Sequence, residues 1–380
     1  MGDIHPSMNR ELLYMVNEKR LTDEFLRLTA IDAESGDEAA MRAYLTGALA
    51  KLGIRAEADA AGNLFARLPG TRPGEALLFS AHMDTVRPGR GKRAVVRPDG
   101  RITSDGTTVL GADDAAGLAA ILEALTVIRE RALPHPDLEL LFTAAEEVYG
   151  VGSARFDYAG LRAKTAYVLD LTGPVGTAAV AAPTLLALDV TVRGRAAHAG
   201  FAPEAGVNAL SIAAAALAQL HTGRVEADTT VNFGTIEGGT GQNIVPAQIR
   251  ITGEVRSLRH EAALLQASVI EDAFRREAER LGGEVEVAVT EKIRAYRTAP
   301  DAPAVRRLRA ALAALGRGEP SLVETFGGSD NNVFALHDLR GVVLAAAMEL
   351  VHTTEEYTEI AELTRSAELT LKLMTLEETP

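Results

Sequence analysis

The sequence predicts an α/β protein with a mixed, mainly parallel sheet covered by helices and an inserted ferredoxin-like α+β domain. Short apolar runs alternate with helical patterns up to residue 182, which is the order that a parallel sheet requires. The order changes to β-α-β-β-α-β over residues 183–297 and then returns to helix-then-strand. We therefore expect one domain of residues 1–182 and 298–380, interrupted by a second domain of residues 183–297.

In the first domain, a helix is expected over residues 35–53, because Ser35 and Glu38 have capping-box spacing and Gly53 suits a helix end. Apolar spacing close to 3.6 predicts a second helix over residues 115–129. Short apolar runs predict the remaining elements: strands at 63–68, 76–80, 107–110, 138–143 and 166–169, then a helix at 304–315 and a strand at 342–346.

In the inserted domain, alternation of apolar and polar residues over 185–192 predicts a half-buried strand. Helical apolar spacing over 207–220 and 261–281 predicts two helices. The other strands are expected at 229–236, 248–257 and 284–290.

Composition excludes several classes of protein. The 380 residues are 47% hydrophobic and 24% charged, which is typical of a globular chain rather than a disordered or collagen-like one. Acidic residues outnumber basic ones by 52 to 39 and no basic cluster is found, so nucleic acid is not an expected partner. The apolar runs are too short to span a membrane and residues 1–10 lack the apolar segment of a signal peptide, so we expect a cytoplasmic protein.

Acidic residues and a histidine follow four predicted strands, at the point where each strand ends. They are His82 and Asp84, Asp113 and Asp114, Glu146 and Glu147, and Asp170. Each has an ordinary explanation by itself, such as a helix cap for Asp113 or solvated loop acids for the glutamate pair. Together they lie at the sheet edge where ligands bind, and their mutual repulsion calls for a cation. Since these segments contain no lysine or arginine, a metal site is predicted.

The chain has no cysteine, so the metal ligands must be oxygen and imidazole atoms, which suit zinc, manganese or cobalt. Two ions fit the number of carboxylates and histidines if one carboxylate bridges. One residue of the glutamate pair can bind metal while the other moves protons. Asp84 is two residues from His82 on an extended segment, so both side chains point to the same side. The Asp84 carboxylate can therefore orient the imidazole without binding the metal itself.

The chain resembles the M20 family of zinc metallopeptidases, most closely its peptidase T-like (tripeptide aminopeptidase) branch. The matching segments follow the family order across nearly the whole chain: residues 80–86, 110–117, 143–147, 197–200, 242–246, 327–330 and 351–357. One departure is Ala115, where many relatives have a lysine after the two aspartates.

The resemblance implies two zinc ions, with cobalt or manganese as substitutes. His82 and Asp170 would bind one ion, Glu147 and His352 the other, and Asp113 would bridge them. Glu146 would be the general base and then the proton donor to the leaving amine, while Asp84 would orient His82. The bond between Asp113 and Asp114 would be cis.

The resemblance also assigns residues of the inserted domain, which would act as a lid and dimerisation domain. His198 would stabilise the oxyanion, reaching the partner subunit's site across a homodimer. Asn243 and Arg256 would dock the substrate, with Arg256 pairing with its carboxylate. Both His198 and Arg256 also have structural explanations, the latter as a surface ion pair.

The function implied is hydrolysis of the N-terminal peptide bond of short peptides by a metal-bridging water that Glu146 activates. An aspartate at position 170 resembles the aminopeptidases of the family, whereas a glutamate there resembles its carboxypeptidases and deacylases. One alternative is an N-acyl amino acid deacylase or related amidohydrolase that uses the same metal site. Another is a metal-binding scaffold without catalytic activity.

Overall fold

The computed structural model describes residues 15–377, so the prediction for residues 1–10 lies outside the described part of the chain. Two compact units are present: residues up to Val180 together with those from Arg297 onward, and residues Ala181–Tyr296. Among the described residues, no helix combines the length and apolar character that a membrane span needs.

The described helices are α1 (Glu18–Thr29), α2 (Ala39–Lys51), α3 (Ala112–Arg131), α4 (Ala209–Leu217), α5 (His260–Leu281), α6 (Pro303–Ala314), α7 (Asp330–Phe334) and α8 (Ile360–Thr375). The strands are β1 (Ala56–Ala58), β2 (Leu64–Leu68), β3 (Leu77–His82), β4 (Ala94–Val96), β5 (Arg101–Ser104), β6 (Leu138–Thr143), β7 (Thr165–Leu171), β8 (Thr177–Ala182), β9 (Thr184–Arg193), β10 (Gly223–Glu226), β11 (Thr229–Gly238), β12 (Gln248–Ser257), β13 (Glu284–Ile293), β14 (Tyr296–Arg297), β15 (Ser321–Glu324), β16 (Arg340–Ala345) and β17 (Tyr357–Glu359).

The first unit is built on a nine-stranded mixed sheet. Its centre is a parallel block in the order β6-β3-β7-β16, with antiparallel β2 beyond β6 and antiparallel β8 beyond β16. The strands of the block are buried along almost their whole length, because helices cover both faces of a parallel sheet. A small antiparallel sheet in the order β17-β5-β4 lies apart from it.

Helix α3 is the central helix of this unit and is buried on nearly every side. Its alanine-rich sequence is apolar all round, which is the composition of a core helix rather than a surface helix. Gly117 lets it lie directly against β7, since a Cβ atom there would come within 2.6 Å of the Leu169 carbonyl oxygen. The start of α3 is therefore held beside the end of β7. Ala115, the position of the missing lysine, is buried in the first turn.

The second unit is a five-stranded antiparallel sheet in the order β10-β11-β12-β9-β13, with helices α4 and α5 packed against β9 and β12. Alternate residues of β9, such as Leu188 and Val190, point into this core beside Ile270 and Phe274 of α5. The connection order is that of the ferredoxin-like unit, with β10 added at one edge. The predicted fold class, an α/β protein with an inserted α+β domain, is confirmed.

Two local predictions are wrong. Helix α2 begins at Ala39 rather than at residue 35, because the Ser35 hydroxyl and the Glu38 carboxylate bind other partners. Residues 107–110 form no strand: the amide of Val109 donates to the Pro88 carbonyl in a loop. Helix α3 is bounded by Ala112 and Arg131, but Asp113 and Asp114 have non-helical backbone angles, so the regular helix starts at Ala115 as predicted. Helices α1 and α8 were not predicted at all.

Candidate active site

The predicted metal ligands meet at the carboxyl edge of the parallel strands. His82 is the last residue of β3 and pairs in register with Thr143, the last residue of β6. Glu146 and Glu147 follow within four residues of that point, and Asp170 lies near the end of β7 on the other side of β3. Because neighbouring parallel strands end at one edge, these side chains are brought into one cluster.

Asp113 lies between two histidines. Its Oδ1 atom is 2.8 Å from His82 Nε2, and its Oδ2 atom is 3.2 Å from His352 Nε2. His352 Nε2 is also 3.0 Å from Glu147 Oε2, and His82 Nε2 is 3.8 Å from Asp170 Oδ1. The two oxygens of one carboxylate thus face two separate groups of donor atoms.

His82 directs Nε2 at Asp113 Oδ1, 2.8 Å away, and this nitrogen would offer its lone pair to a metal ion once it has lost its proton. Its Nδ1 atom is 2.9 Å from the main-chain carbonyl oxygen of Asp84, which only accepts, so Nδ1 carries the proton. The carboxylate Oδ1 of Asp84 is farther away, at 3.5 Å from Nδ1. The ring is therefore oriented first by the Asp84 main chain, whereas the sequence suggested its carboxylate.

The carboxylate of Asp84 instead holds the loop after β6. It accepts hydrogen bonds from the amides of Glu146 at 2.9 Å and Glu147 at 3.2 Å, and from the Ser35 hydroxyl at 2.7 Å. The Glu38 carboxylate accepts from the amide of Ala145 at 3.1 Å. The two residues predicted to form a capping box thus support the glutamate pair.

The main chain adopts unusual conformations at the ligands. The bond between Asp113 and Asp114 is cis, as the resemblance implied. Ala145 and His352 have φ of 53° and 63°, in the left-handed region that favours glycine. Positive φ at these two residues costs energy and persists where the surroundings enforce it, often at functional sites. The Asp114 carboxylate accepts hydrogen bonds at 3.0 Å from the amides of both His82 and Gly117.

The electrostatics of the cluster fit a divalent cation. Burial raises the pKa values of Glu146, Glu147 and Asp170 above the ordinary carboxyl range. Hydrogen bonds to Asp113 and Glu147 raise the pKa of His352 to about 10. The cluster therefore retains protons that a metal ion would replace, and its donors are the oxygen and imidazole atoms that zinc, cobalt and manganese accept.

Two sets of donor atoms are close enough to hold an ion. One atom each from His82, Asp113 and Glu147 lie within 4.8 Å of one another, as do atoms from His82, Glu146 and Asp170. A cavity of about 190 Å³ opens beside them. Besides the carboxylates, its lining includes four apolar side chains, Leu171, Val343, Met348 and Val351. The cavity therefore offers both polar and apolar contacts to a bound molecule.

Two of the predicted substrate residues lie together in the second unit. The segments carrying His198 and Asn243 are joined by a hydrogen bond from the Ala199 amide to the Asn243 carbonyl at 2.9 Å. Both side chains are exposed. The His198 ring accepts from the amides of Gly200 and Phe201 at 3.1 Å each, so its Nε2 atom is left as the donor.

Arg256 is not brought together with His198 and Asn243. The latter extend beyond the end of the sheet where Gln248 pairs with Arg193, while Arg256 lies eight residues farther along β12. At about 3.3 Å per residue the separation along the strand is roughly 26 Å. The guanidinium binds both oxygens of Glu254, at 2.8 and 3.1 Å, in a partly buried pair on its own strand.

Four residues were not predicted to take part in the site. Two are Ser35 and Glu38. The others are Asp330, whose carboxylate accepts a hydrogen bond from the Thr143 hydroxyl, and Glu356, which binds main-chain amides near Asp113. The last two fall in segments that carried the resemblance, 327–330 and 351–357. An additional acidic residue in a motif segment was the only signal in the sequence that could have indicated a role for them. Their hydrogen-bond partners could not be identified, because they are distant in sequence.

Comparison with known proteins identifies the family. Residues 180–281 match the peptidase dimerisation domain of the M20 family. The uncharacterised protein YqjE of Bacillus subtilis is 39% identical over 369 residues, which cover 95% of this chain and 99% of that protein.

Two solved structures share the fold over nearly the whole chain. The aminopeptidase PepT of Bacillus cereus is 40% identical with a TM-score of 0.89, and a tripeptidase of Staphylococcus aureus is 34% identical with a TM-score of 0.92. In both cases the match covers 95% of this chain and 99% of the other. The resemblance inferred from the motifs and the enzyme class, a hydrolase of the peptidase type, are confirmed. The chain therefore belongs to the M20 peptidase family, in its peptidase T-like branch.

Proposed function

We propose that this protein is a two-metal aminopeptidase that removes the N-terminal residue of short peptides, with zinc as the native ion. The observation that carries the proposal is the position of Asp113, whose two carboxylate oxygens face His82 and His352 at 2.8 and 3.2 Å. The relatives named aminopeptidase and tripeptidase support the same reaction.

His82 and Asp170 would hold one ion, Glu147 and His352 the other, and Asp113 would bind both. The donor set fits such ions, since it offers two imidazoles and three carboxylates without sulfur. When bound, the ions would supply Lewis acidity to the scissile carbonyl and lower the pKa of water. Cobalt or manganese would substitute for zinc because neither requires other ligand types.

Glu146 would take a proton from the attacking water and return it to the leaving amine. Burial raises the pKa of Glu146, which favours a carboxyl that accepts and releases a proton near neutral pH. The hydrogen bond from the Glu146 amide to Asp84 would keep the base at a fixed distance from the reacting atoms. Asp84 would therefore act as a positioning residue for the base as well as for His82.

The inserted domain would supply residues for the substrate in a homodimer. His198 would donate from Nε2 to the oxyanion of the partner subunit, and Asn243 would bind the peptide beside it. The match to a peptidase dimerisation domain supports the dimer. Arg256 would bind the substrate carboxylate. To do so, its guanidinium has to release Glu254 or bind both carboxylates at once. Its distance from His198 favours contributions from two different subunits to one site.

Asp170 favours an aminopeptidase over the deacylase alternative, by its resemblance to family members with aspartate at this position. An N-acyl amino acid deacylase would use the same ligands on a substrate without a free amine. The inactive-scaffold alternative is disfavoured because all five proposed ligands lie in one cluster and Glu146 lines the same cavity. The cytoplasmic location expected from the sequence stays a prediction, which cell fractionation with an antibody to the protein tests.

The decisive experiment is product analysis by mass spectrometry with the zinc-loaded protein. A mixed library of dipeptides, tripeptides and their N-acetylated forms would be offered, with Glu146→Gln protein as the control. We expect release of the first residue from peptides with a free amine only, and none from the control.

Cleavage of the acetylated set alone would instead assign a deacylase and remove the diagnostic value of Asp170. No cleavage of either set by protein that retains two metal ions would favour the scaffold. Light scattering that finds only monomers at working concentration would contradict the shared site.

A further inference from the structure

Glu356 is a buried carboxylate that binds the main chain on both sides of the Asp113 turn. Its Oε2 atom accepts from the Gly111 amide at 2.7 Å, and its Oε1 atom accepts from the Asp113 amide at 3.0 Å. Only 1% of the residue is exposed. Gly111 is the N-cap residue of α3 and provides no side-chain cap, and the backbone at Asp113 is not helical. A distant glutamate therefore binds the amides of the turn that leads into the helix.

The same residue belongs to the segment that carries His352. Glu349 and Tyr357 pair through two main-chain hydrogen bonds at 3.0 and 3.1 Å, which close a loop with His352 inside it. The loop is otherwise exposed, since residues 352–355 all lie at the surface. The His352 side chain is itself 50% exposed, so the packing around the ring does not fix its position. Glu356 is the buried anchor of this loop against the Asp113 turn.

We propose that Glu356 is a positioning residue that sets the distance between Asp113 and His352, and hence the affinity of the metal ion that they share with Glu147. The Glu356 carboxylate fixes the Asp113 main chain directly, by a hydrogen bond. It fixes His352 indirectly, because His352 lies four residues before Glu356 in the same loop. It makes no contact with the donor atoms of the ligands, so it acts on the ion only through their placement. This inference rests on the metal centre of the proposed function.

The chemistry of the contacts explains why another residue does not substitute. Two N–H donors point at the carboxylate, so both of its oxygens must accept. In Glu356→Gln one acceptor becomes an NH₂ group that faces an N–H group, which breaks one bond and repels its donor. In Glu356→Asp both acceptor oxygens remain, but the side chain is one methylene shorter. The His352 loop must then move closer to the Asp113 turn, or one of the two hydrogen bonds is lost.

The test is a titration of the metal-free protein with Co²⁺, followed by its visible absorption, which reports ligand geometry without any substrate. The variants are Glu356→Gln and Glu356→Asp. The control is Glu355→Gln, which removes the same charge from the exposed neighbour in the loop. Thermal unfolding of each metal-free protein measures any loss of stability separately.

We expect two Co²⁺ ions in the wild type, and in Glu356→Gln a loss of about 10- to 100-fold in the affinity of one of them, with an altered spectrum. The Co²⁺ affinity of Glu356→Asp should lie between those of the wild type and Glu356→Gln. The affinity and spectrum of Glu355→Gln should match those of the wild type. Wild-type affinities and spectrum in folded Glu356→Gln overturn the inference, even if its unfolding temperature falls. If Glu356→Gln does not fold, the same result in Glu356→Asp overturns it.

Failure of the inference and failure of the proposed function give different results. Weakened Co²⁺ binding in Glu356→Gln, together with a wild-type protein that cleaves no peptide, retains the positioning role and rejects the aminopeptidase. Peptide cleavage by the wild type, together with unchanged Co²⁺ binding in Glu356→Gln, retains the aminopeptidase and rejects the positioning role. A wild-type protein that binds no Co²⁺ rejects both.

Discussion

Acidic residues are used in opposite ways at the carboxyl edge of the large sheet and on the exposed face of the inserted sheet. On the inserted sheet Asp189 pairs with Arg250, and in the turns at its end Asp228 pairs with Arg259, both near solvent. At the sheet edge, the partners of Asp113 and Glu147 are histidine rings. The acids around these ligands bind main-chain amides.

The difference teaches how a functional acid is distinguished from a structural one. An arginine carries a permanent charge, so its acidic partner is already neutralised and has no need of another cation. A carboxylate held by imidazoles and amides has partners that are neutral or can lose their protons, and it stays available to a metal ion. An excess of acids is therefore informative only where arginine is not the partner.

The largest expected effect is on catalysis by Glu146→Gln. The amide keeps the size of the side chain but cannot take a proton, so kcat should fall by about 10²- to 10⁴-fold. Metal content, measured by atomic emission, should stay at the wild-type value because Glu147 and Asp170 are unchanged. Near-normal turnover would show that Glu146 is not the base, and Glu355→Gln provides the control for loss of one carboxylate.

A smaller effect is expected for Asp84→Ala, which removes the acceptor of the Glu146 and Glu147 amides. Two buried amides then lose their partner, which should lower the free energy of unfolding by about 2–5 kcal/mol in urea titrations. Metal affinity should fall by about 10- to 100-fold, because the loop that carries Glu147 loses its support, while the main-chain carbonyl at position 84 still accepts from His82.

The matched control for Asp84→Ala is Asp189→Ala on the inserted sheet. Its partner Arg250 is exposed, so the midpoint of thermal unfolding should shift by about 2 °C or less, and metal affinity should not change. Equal effects of the two substitutions on metal affinity would break the comparison between the two regions.

The smallest effect per step is a gradual dependence of metal affinity on pH. The pKa of His352 is raised from 6.5 to about 10 by Asp113 and Glu147, and the ring must lose this proton to bind metal. Affinity for Co²⁺ should therefore rise up to about tenfold per pH unit below pH 10, as titrations at several pH values would measure.

The metal-free protein should follow the opposite trend. Protonated His352 contributes stability fully below pH 6.5, and this contribution is lost as the pH rises through about 10. Comparison of unfolding temperatures of metal-free wild type and His352→Gln across this range isolates the contribution. A constant difference between the two would contradict the raised pKa.

Much of the fold followed from local patterns in the sequence. The strand predictions at 138–143 and 248–257 have the observed bounds of β6 and β12, since each is a run with clear ends. The predicted strand at 107–110 is wrong because its β-branched residues describe only local preference, while the Val109 amide bonds to a distant loop.

The candidate site was predictable to the extent that it depends on topology. Side chains after neighbouring parallel strands must meet, so the convergence of His82, Glu147 and Asp170 could be inferred without coordinates. Asp113 joins them from the start of α3, although the strand predicted before it is absent. The contacts of Ser35 and Glu356 could not, because each joins segments dozens to hundreds of residues apart and has no signature in local spacing. The separation of Arg256 from His198 likewise appears only once the register of β12 is known.

The burial of helix α3 has a consequence for protein engineering. Gly117 and the alanines around it leave no space between the helix and β7, and Asp113 lies at the end of this rigid element. A larger side chain at Ala116 or Ala119 would shift the whole helix rather than be absorbed locally. Selection for thermostability by filling the interior is therefore expected to displace Asp113 as a side effect, although neither position is among the proposed metal ligands.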